Sequence, residues 1–359
     1  MTTQPPLPED PSEVTPEWLT GALRERFPDV SVSSVEILEI HHGTNSNARV
    51  RVGCEGAGDL PETCFLKLPP LDPARREQIH RTGMGRREAR FYRHLADRVP
   101  MRVPTPYVAQ LDEATGAFVL LIEDLTASGC AFPDPFDGVT YGQASMAMRD
   151  YALLHVPYED ESYRRRQAGW VERMPRGTDF GPSMLQYGLD HHRDRLADGF
   201  AEMAELYIAQ QAELEALWDR GSQTLLQGDS HIGNLFLDSG RPGFLDWGLI
   251  QLGTPMRDVG YFITMALTPE NRRRHERELI QEYLEARVEA GGVPIEFEDA
   301  WLLHRVHAAY AVPAACPLVL FPERVEPDHA RLSAAFLERS QRVVEDLDVR
   351  EALREFAGI

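Results

Sequence analysis

Asp229, His231, Asn234 and Asp246 stand close together in the stretch LLQGDSHIGNLFLDSGRPGFLDWGLIQLGTPMRDVGYF, residues 225–262. Carboxylate and amide oxygens in this density suit a hard cation such as Mg²⁺, which takes few protein ligands and leaves room for substrate phosphates. Two short apolar runs, NLFL and GFLDW, flank a polar turn at Asp238–Gly240, the pattern of a small hairpin. Asp229, His231 and Asn234 then fall in the loop before it, and Asp246 ends its second arm. The twelve histidines raise a competing zinc chemistry. No H-E-x-x-H occurs, and the pairs His41-His42 and His191-His192 are adjacent, poor geometry for sharing one ion. A phosphate-handling Mg²⁺ site is the stronger reading, and other elements must complete it.

The amino-terminal part supplies strands. Thr15-Pro16-Glu17 reads as a helix start, with a short helix through Trp18, Leu19, Leu23 and Phe27. VSSVEILEI and ARVRVGCE, inside residues 32–55, are strand patterns joined by the small-residue turn HHGTNSN. A plain hairpin accounts for that segment. The functional alternative is a phosphate-covering loop, in which small residues let backbone N–H groups approach an anion. ETCFLKL (62–68) is a third strand and sets Lys67 among apolar residues, where a lysine seldom sits without a partner. A helical pattern follows, carrying Ala89, Tyr92, Leu95 and Ala96 on one face and Glu88 as a candidate partner for Lys67. Tyr107–Leu111 and Ala117–Glu123 read as a further hairpin, its second arm nearly continuously apolar and so expected to be buried. The segment after Leu125 is a Gly-, Pro- and Asp-rich connector.

Beyond it the pattern is helical, at 140–156, within 183–219, and at about 271–290, 296–312 and 326–356. Residues 1–15 read as a loose acidic arm, 158–182 as polar and broken, and the Pro-interrupted 312–322 as a pocket lining or a buried connector. His155 reads as structural rather than catalytic. The chain of 359 residues is long enough for two cores. A net charge of −20 excludes a nucleic-acid backbone as the expected partner. The start shows no basic, apolar leader pattern, and no window approaches the length of a bilayer span. Cys54, Cys64, Cys130 and Cys316 lack metal-ligand spacing, and reduced thiols in a cytoplasmic protein are expected.

With G-D-S-H-I-G-N at 228–234, L-D-W at 245–247 and the Lys67–Glu88 order in place, the chain resembles the aminoglycoside phosphotransferase/choline kinase-like family, the ecdysteroid-kinase-like branch among its relatives. The resemblance runs from about Val32 to Phe262. It implies an α+β, two-lobed protein-kinase-like fold. The amino lobe (1–125) would hold about five antiparallel strands and a helix. The carboxyl lobe (126–359) would be mainly helical, with a small catalytic hairpin and the acceptor pocket.

The resemblance also implies roles. Asp229 would accept or orient the acceptor hydroxyl, and Asn234 and Asp246 would hold Mg²⁺. Lys67, held by Glu88, would bind ATP phosphates beneath the loop of Gly43, Thr44, Asn45, Ser46 and Asn47. Glu123, Asp124 and Leu125 would lie in the segment joining the lobes and meet adenine through their backbone. His231 would shape the loop. Asp258 would brace it, a simple helix N-cap being the plainer reading. One departure stands out: Gln227 replaces the family's usual histidine. The expected activity is phosphoryl transfer from ATP to a hydroxyl of a small molecule. No D-F-G, A-P-E or H-R-D occurs, which disfavours a protein acceptor. The alternative is a catalytically weak or inactive nucleotide-binding module.

Overall fold

The computed structural model describes residues 6–42, 45–56, 58, 60–320 and 329–357. Gly43 and Thr44, expected in the phosphate loop, lie outside the described residues. The chain forms two compact units. One comprises Met1–Ala131 with Gly243–Ile250, the other Phe132–Pro242 with Gln251–Ile359. The sequence division at 125/126 kept 243–250 with the helical part. The structure places that segment in the first unit, where the Phe244 amide donates to the Arg102 carbonyl at 2.8 Å.

The first unit begins with α1 (Pro16–Leu23), capped by the Thr15 hydroxyl, which accepts from the Trp18 amide at 3.2 Å. The arm before it is not loose over its described part. Asp10 caps a 3₁₀ turn at Pro11–Glu13, and Glu9 pairs with Arg76 at 2.6 Å. Strands β1 (Ser31–His42), β2 (Ser46–Glu55), β3 (Thr63–Leu68), β4 (Pro106–Leu111) and β5 (Phe118–Glu123) form one antiparallel sheet in the order β1-β2-β3-β5-β4. Alternation assigns its faces. Val50, Val52, Cys64, Leu66, Val119 and Leu121 share a core with Leu19 and Leu23 of α1. The other face carries Lys67, which lies between Asn47 and Leu120 in register.

Two helices, α2 (Pro73–Thr82) and α3 (Met84–His94), meet at Gly83 (φ 69°), whose amide closes α2 onto the Ile79 and His80 carbonyls. α3 packs on β4 and β5. It approaches β5 so closely that a Cβ on Gly85 would collide with the Phe118 ring. That contact sets the height of α3, and therefore of Glu88, over the sheet.

The second unit holds α4 (Tyr141–Glu159), α5 (Glu161–Ala168), α6 (Phe180–His191), α7 (Asp198–Ala209) and α8 (Gln211–Trp218) before its strands. Thr140 and Gln143 start α4 with reciprocal cap bonds. β6 (Thr224–Leu226) leads into the loop 227–234. The hairpin β7 (Leu235–Asp238) and β8 (Arg241–Phe244) turns at Ser239 (φ 51°) and Gly240 (φ 85°), the two left-handed residues of a type I′ connection. β9 (Gln251–Gly253) pairs antiparallel with β6. Then come α9 (Pro255–Ala266), α10 (Pro269–Glu289), α11 (Phe297–Ala308), α12 (Ala311–Leu320), α13 (Ala330–Asp346) and α14 (Val349–Ala357).

The break expected at WVERMPRG (170–177) is non-helical, but before it α5, capped by Asp160 accepting from the Tyr163 amide at 2.6 Å, was not expected. The 312–322 run is not an irregular connector, since most of it is α12. Pro313 falls in the first turn, where its missing N–H is no loss.

Candidate active site

In the first unit Lys67 and Glu88 are buried, at 9% and 3% exposure, and paired. Lys67 Nζ lies 2.7 Å from Glu88 Oε1 and 2.6 Å from Oε2. A buried ammonium needs such a partner, and this one has a second in Asp246. Burial works to lower the Lys67 pKa, but the Asp246 and Glu88 charges outweigh it and hold the group above its ordinary value.

Asp246 reaches this position through strain. It has φ 47° and ψ 78°, a conformation unusual for a non-glycine residue, and its carboxylate accepts from the Gly248 amide at 3.3 Å. The turn it begins is gripped by α3. Phe91 stacks on Trp247 with ring centroids 3.9 Å apart, and Arg87 Nε donates to the Gly248 carbonyl at 2.8 Å. One helix thus positions both the lysine's partner and the turn that presents Asp246. The chain needs Arg87, Phe91 and Trp247 for this; sequence reasoning gave no role to Arg87 or Phe91 and met Trp247 only as the last letter of the L-D-W motif. Their signal was spacing: Arg87 and Phe91 flank Glu88 on α3.

Asn47 shares a face of the sheet with its register partner Lys67. Its Oδ1, the Asn45 Oδ1 and the Ser46 hydroxyl are buried without a hydrogen-bond partner among the described residues. Glu123 and Asp124 are committed elsewhere. Arg102 binds Glu123 through two nitrogens, at 2.7 and 2.9 Å. Burial would raise the Glu123 pKa, but Arg102 and the Thr105 amide hold it below its ordinary value. Asp124 accepts from Arg49 at 2.9 Å and from the Thr126 and Ala127 amides. Leu125 is buried. The side chains of this segment are structural, leaving its backbone as the part that could meet a ligand.

In the second unit the loop 227–234 is built around Asp229. Asp258, 1% exposed, accepts from the Gln227 amide at 2.7 Å and the Gly228 amide at 2.9 Å. It is not the helix N-cap; that position is Thr254, and Asp258 sits within the first turn of α9. Gln227 turns its side chain inward, its Oε1 accepting from the Asp229 amide at 2.6 Å. The glutamine therefore braces the same main chain. Asn234 Nδ2 donates to the Asp229 carbonyl at 2.9 Å and to Oδ2 at 3.2 Å. Because its nitrogen is used in this way, its carbonyl oxygen is turned to the other side. Tyr261, another residue missed from sequence, donates to Asp229 Oδ1 at 3.4 Å. His231 packs edge-on against Phe336 and accepts from the Gly233 amide, consistent with shaping the loop.

Behind Asp258 runs a line of buried donors. Arg287 donates to the Tyr283 hydroxyl at 3.3 Å, and that hydroxyl lies 2.9 Å from His155 Nδ1. His155 Nε2 lies 3.5 Å from Asp258 Oδ2. With the proton on Nε2, each group donates to the next and the line ends at the carboxylate. His155 is structural, as its sequence position suggested.

Asn234 in the second unit offers an amide oxygen and Asp246 in the first a carboxylate oxygen, each a hard donor of the kind that Mg²⁺ accepts. Among the described residues no group of three or more His, Cys, Asp or Glu is placed to hold a metal. Cys54, Cys64 and Cys130 form no disulfide among the described residues, and burial pushes the Cys64 thiol up to about 12.

The model of the phosphotransferase enzyme family matches residues 36–294. The chain belongs to that family. Its fold is shared with a candidate aminoglycoside phosphotransferase from Ralstonia eutropha, at 15% identity and a TM-score of 0.51, covering 92% of this chain and 98% of that one. A macrolide 2′-phosphotransferase from Brachybacterium faecium aligns at 18% identity over 89% and 97% of the two chains, TM-score 0.44. Choline kinase from Streptococcus pneumoniae aligns at 13% identity over 92% and 98%, TM-score 0.47. No curated protein sequence matches the chain. Membership of the phosphotransferase enzyme family makes this a kinase-type enzyme, and the fold is the mixed, protein-kinase-like one expected.

Proposed function

We propose that the protein is an ATP- and Mg²⁺-dependent kinase that phosphorylates a hydroxyl of a small molecule. The observation that carries this reading is the bracing of Asp229. Its loop is fixed through main-chain amides by Asp258 and Gln227, and the Asn234 amide orients its carboxylate. Phosphoryl transfer is catalysed mainly by positioning and charge stabilisation, so a fixed carboxylate facing the acceptor is what the chemistry requires.

In this reading a bond forms between the acceptor oxygen and the γ-phosphorus as the bond to the bridging oxygen breaks. ADP leaves with that electron pair, and the hydroxyl proton passes to Asp229. Lys67, fixed by Glu88, donates to phosphate oxygens, with the described loop residues Asn45, Ser46 and Asn47 beside them. The backbone of Glu123–Leu125 is assigned to adenine, and Asn234 and Asp246 are the metal ligands. Mg²⁺, when bound, neutralises phosphate charge. The lobes 1–125 and 126–359 divide these roles between nucleotide and acceptor, apart from Asp246. No helix among the described residues is long and apolar enough to cross a membrane, and a cytoplasmic enzyme is proposed.

The test is Mg²⁺-dependent phosphoryl transfer from ATP to a panel of alcohols, with Asp229→Asn as control. Loss of about 10²–10⁴ in rate is expected for the variant. Equal transfer by both proteins refutes the assignment. Turnover by neither supports the inactive module, which the Gln227 bracing argues against.

A further inference from the structure

The guanidinium of Arg257 occupies an unusual position. The residue is 8% exposed, on a helix whose every residue from Pro255 to Ala266 is buried. Among the described residues its side chain makes no ion pair and no hydrogen bond. Its contacts are aromatic: Cζ lies 3.0 Å from the centroid of the Tyr310 ring and 5.5 Å from that of Tyr261. The adjacent Asp258 cannot serve as counter-charge, being committed to the Gln227 and Gly228 amides. His307, which feels the Arg257 charge, is a neutral imidazole bonded to the Thr254 hydroxyl at 3.0 Å.

Ring contact satisfies only part of this group. A guanidinium stacks through its flat face, while its five N–H donors point outward in its own plane. Stacking on Tyr310 therefore leaves the donor edge open. No nitrogen of Arg257 is among the fully buried side-chain atoms without a partner, so the donor edge stays reachable, and a planar fork of donors fits a carboxylate or phosphate edge. The place of that fork is telling. Tyr261, one of the two rings beside it, directs its hydroxyl to Asp229 Oδ1 at 3.4 Å. A single tyrosine separates the group assigned to the acceptor hydroxyl from a cation that has no ion pair among the described residues.

We propose that Arg257 is an acceptor-recognition residue and that the acceptor carries an anionic group, a carboxylate or a phosphate, in addition to the hydroxyl that is phosphorylated. This rests on the reading of Asp229 as the residue facing that hydroxyl. It separates this chain from a site built for polycations: an amino sugar would bring like charge toward Arg257 and leave the donor fork unfilled. Tyr310 and Tyr261 hold the guanidinium in place without neutralising it, so its charge is kept for the ligand.

The experiment measures phosphoryl transfer from ATP to matched acceptors: glycerate against glycerol, gluconate against sorbitol, and glucose 6-phosphate against glucose, with choline and glucosamine as cations. The wild type is expected to favour the anionic member of a pair by tenfold or more in kcat/KM. Arg257→Met should erase that preference by raising KM roughly 10–100-fold for the anionic acceptor alone, with kcat nearly kept. Arg257→Lys, which restores charge without the fork, should recover part of it. Thermal melting of each variant shows whether it is folded. A misfolded Arg257→Met leaves the decision to the wild-type pairs and to Arg257→Lys. A wild type that prefers neutral or cationic acceptors overturns the proposal while the kinase assignment stands, as does a preference that survives in folded Arg257→Met. Absence of transfer to every acceptor overturns the kinase assignment, and this proposal with it.

Discussion

Replacing Asp258 by asparagine changes one oxygen to an amide group and little else in shape. In the native protein each carboxylate oxygen takes one main-chain amide, Oδ2 from Gln227 at 2.7 Å and Oδ1 from Gly228 at 2.9 Å. His155 Nε2 approaches Oδ2 at 3.5 Å. Asparagine has a single acceptor oxygen, so whichever way it turns, its NH₂ faces an N–H. One hydrogen bond to a charged group, about 1.5–3 kcal/mol, is lost, and the buried donor left behind costs about 1–3 kcal/mol more. The surviving bond weakens from charged to neutral. Relaxation of the loop returns part of this, and a net loss of about 3–4 kcal/mol is expected. That is a large fraction of a domain's total stability of about 5–15 kcal/mol, yet it leaves the variant folded.

Urea unfolding measures the loss. Amide hydrogen exchange locates it, because protection at Gln227 and Gly228 should fall well before that in the middle of α9. Transfer activity should drop at least tenfold, since under the proposed function a displaced Asp229 loop is a displaced base. A stability change below about 1 kcal/mol, together with unchanged exchange at the two amides, would show that Asp258 does not hold the loop. The line of donors through His155 would then have no function at its end.

Two further outcomes follow from buried charges. Glu88→Gln leaves Lys67 with Asp246 as its remaining carboxylate. The stability loss should therefore stay under the about 3–5 kcal/mol of a fully orphaned buried charge, while KM for ATP rises roughly tenfold in steady-state assays. His307 is held to about 3, from 6.5, first by burial and then by Arg257 and His304. Its folded form resists the proton that the unfolded chain accepts, so stability is full above pH 6.5 and falls as pH drops below it. Chemical denaturation should show about 2 kcal/mol lost from this group between about pH 7 and 5, a slope that His307→Gln removes. An unchanged slope in the variant would assign the acid sensitivity elsewhere.

What the sequence made legible was whatever local pattern encodes. The β5 run FVLLIE is apolar up to its final Glu123 because one face meets the α1 core and the other meets α3, and the expected burial held. The Asp229 loop was visible because its polar residues are adjacent in the chain. Contacts between distant segments were not visible. Arg87, Phe91 and Trp247 are ordinary letters until α3 lies on the Asp246 turn, and the left-handed backbone of Asp246 has no signature in a residue type that usually avoids it. α5 and α12 were lost for a related reason. Charged or Pro-bearing runs have poor helical patterns, but a cap at Asp160 and a Pro313 in the first turn make them acceptable.

Asp258 was expected from the resemblance to brace its loop, but how it stands to Arg257 shows most sharply what sequence reasoning cannot reach. They are neighbours of opposite charge, and on paper they would be taken for a local pair. On a fully buried helix, successive residues point about 100° apart, so they face different surroundings. Asp258 faces the amides of its loop and Arg257 the rings of Tyr261 and Tyr310. Because the two charges are kept from neutralising each other, each remains available for a separate task. The carboxylate fixes the main chain that carries Asp229. The guanidinium, with Tyr261 between it and Asp229, is where acceptor choice is proposed to be exercised. A Met256-Arg257-Asp258 segment with both charges buried and unpaired to one another would be a liability in a purely structural helix. Under the proposed function it would join the bracing of Asp229 to the recognition of the acceptor.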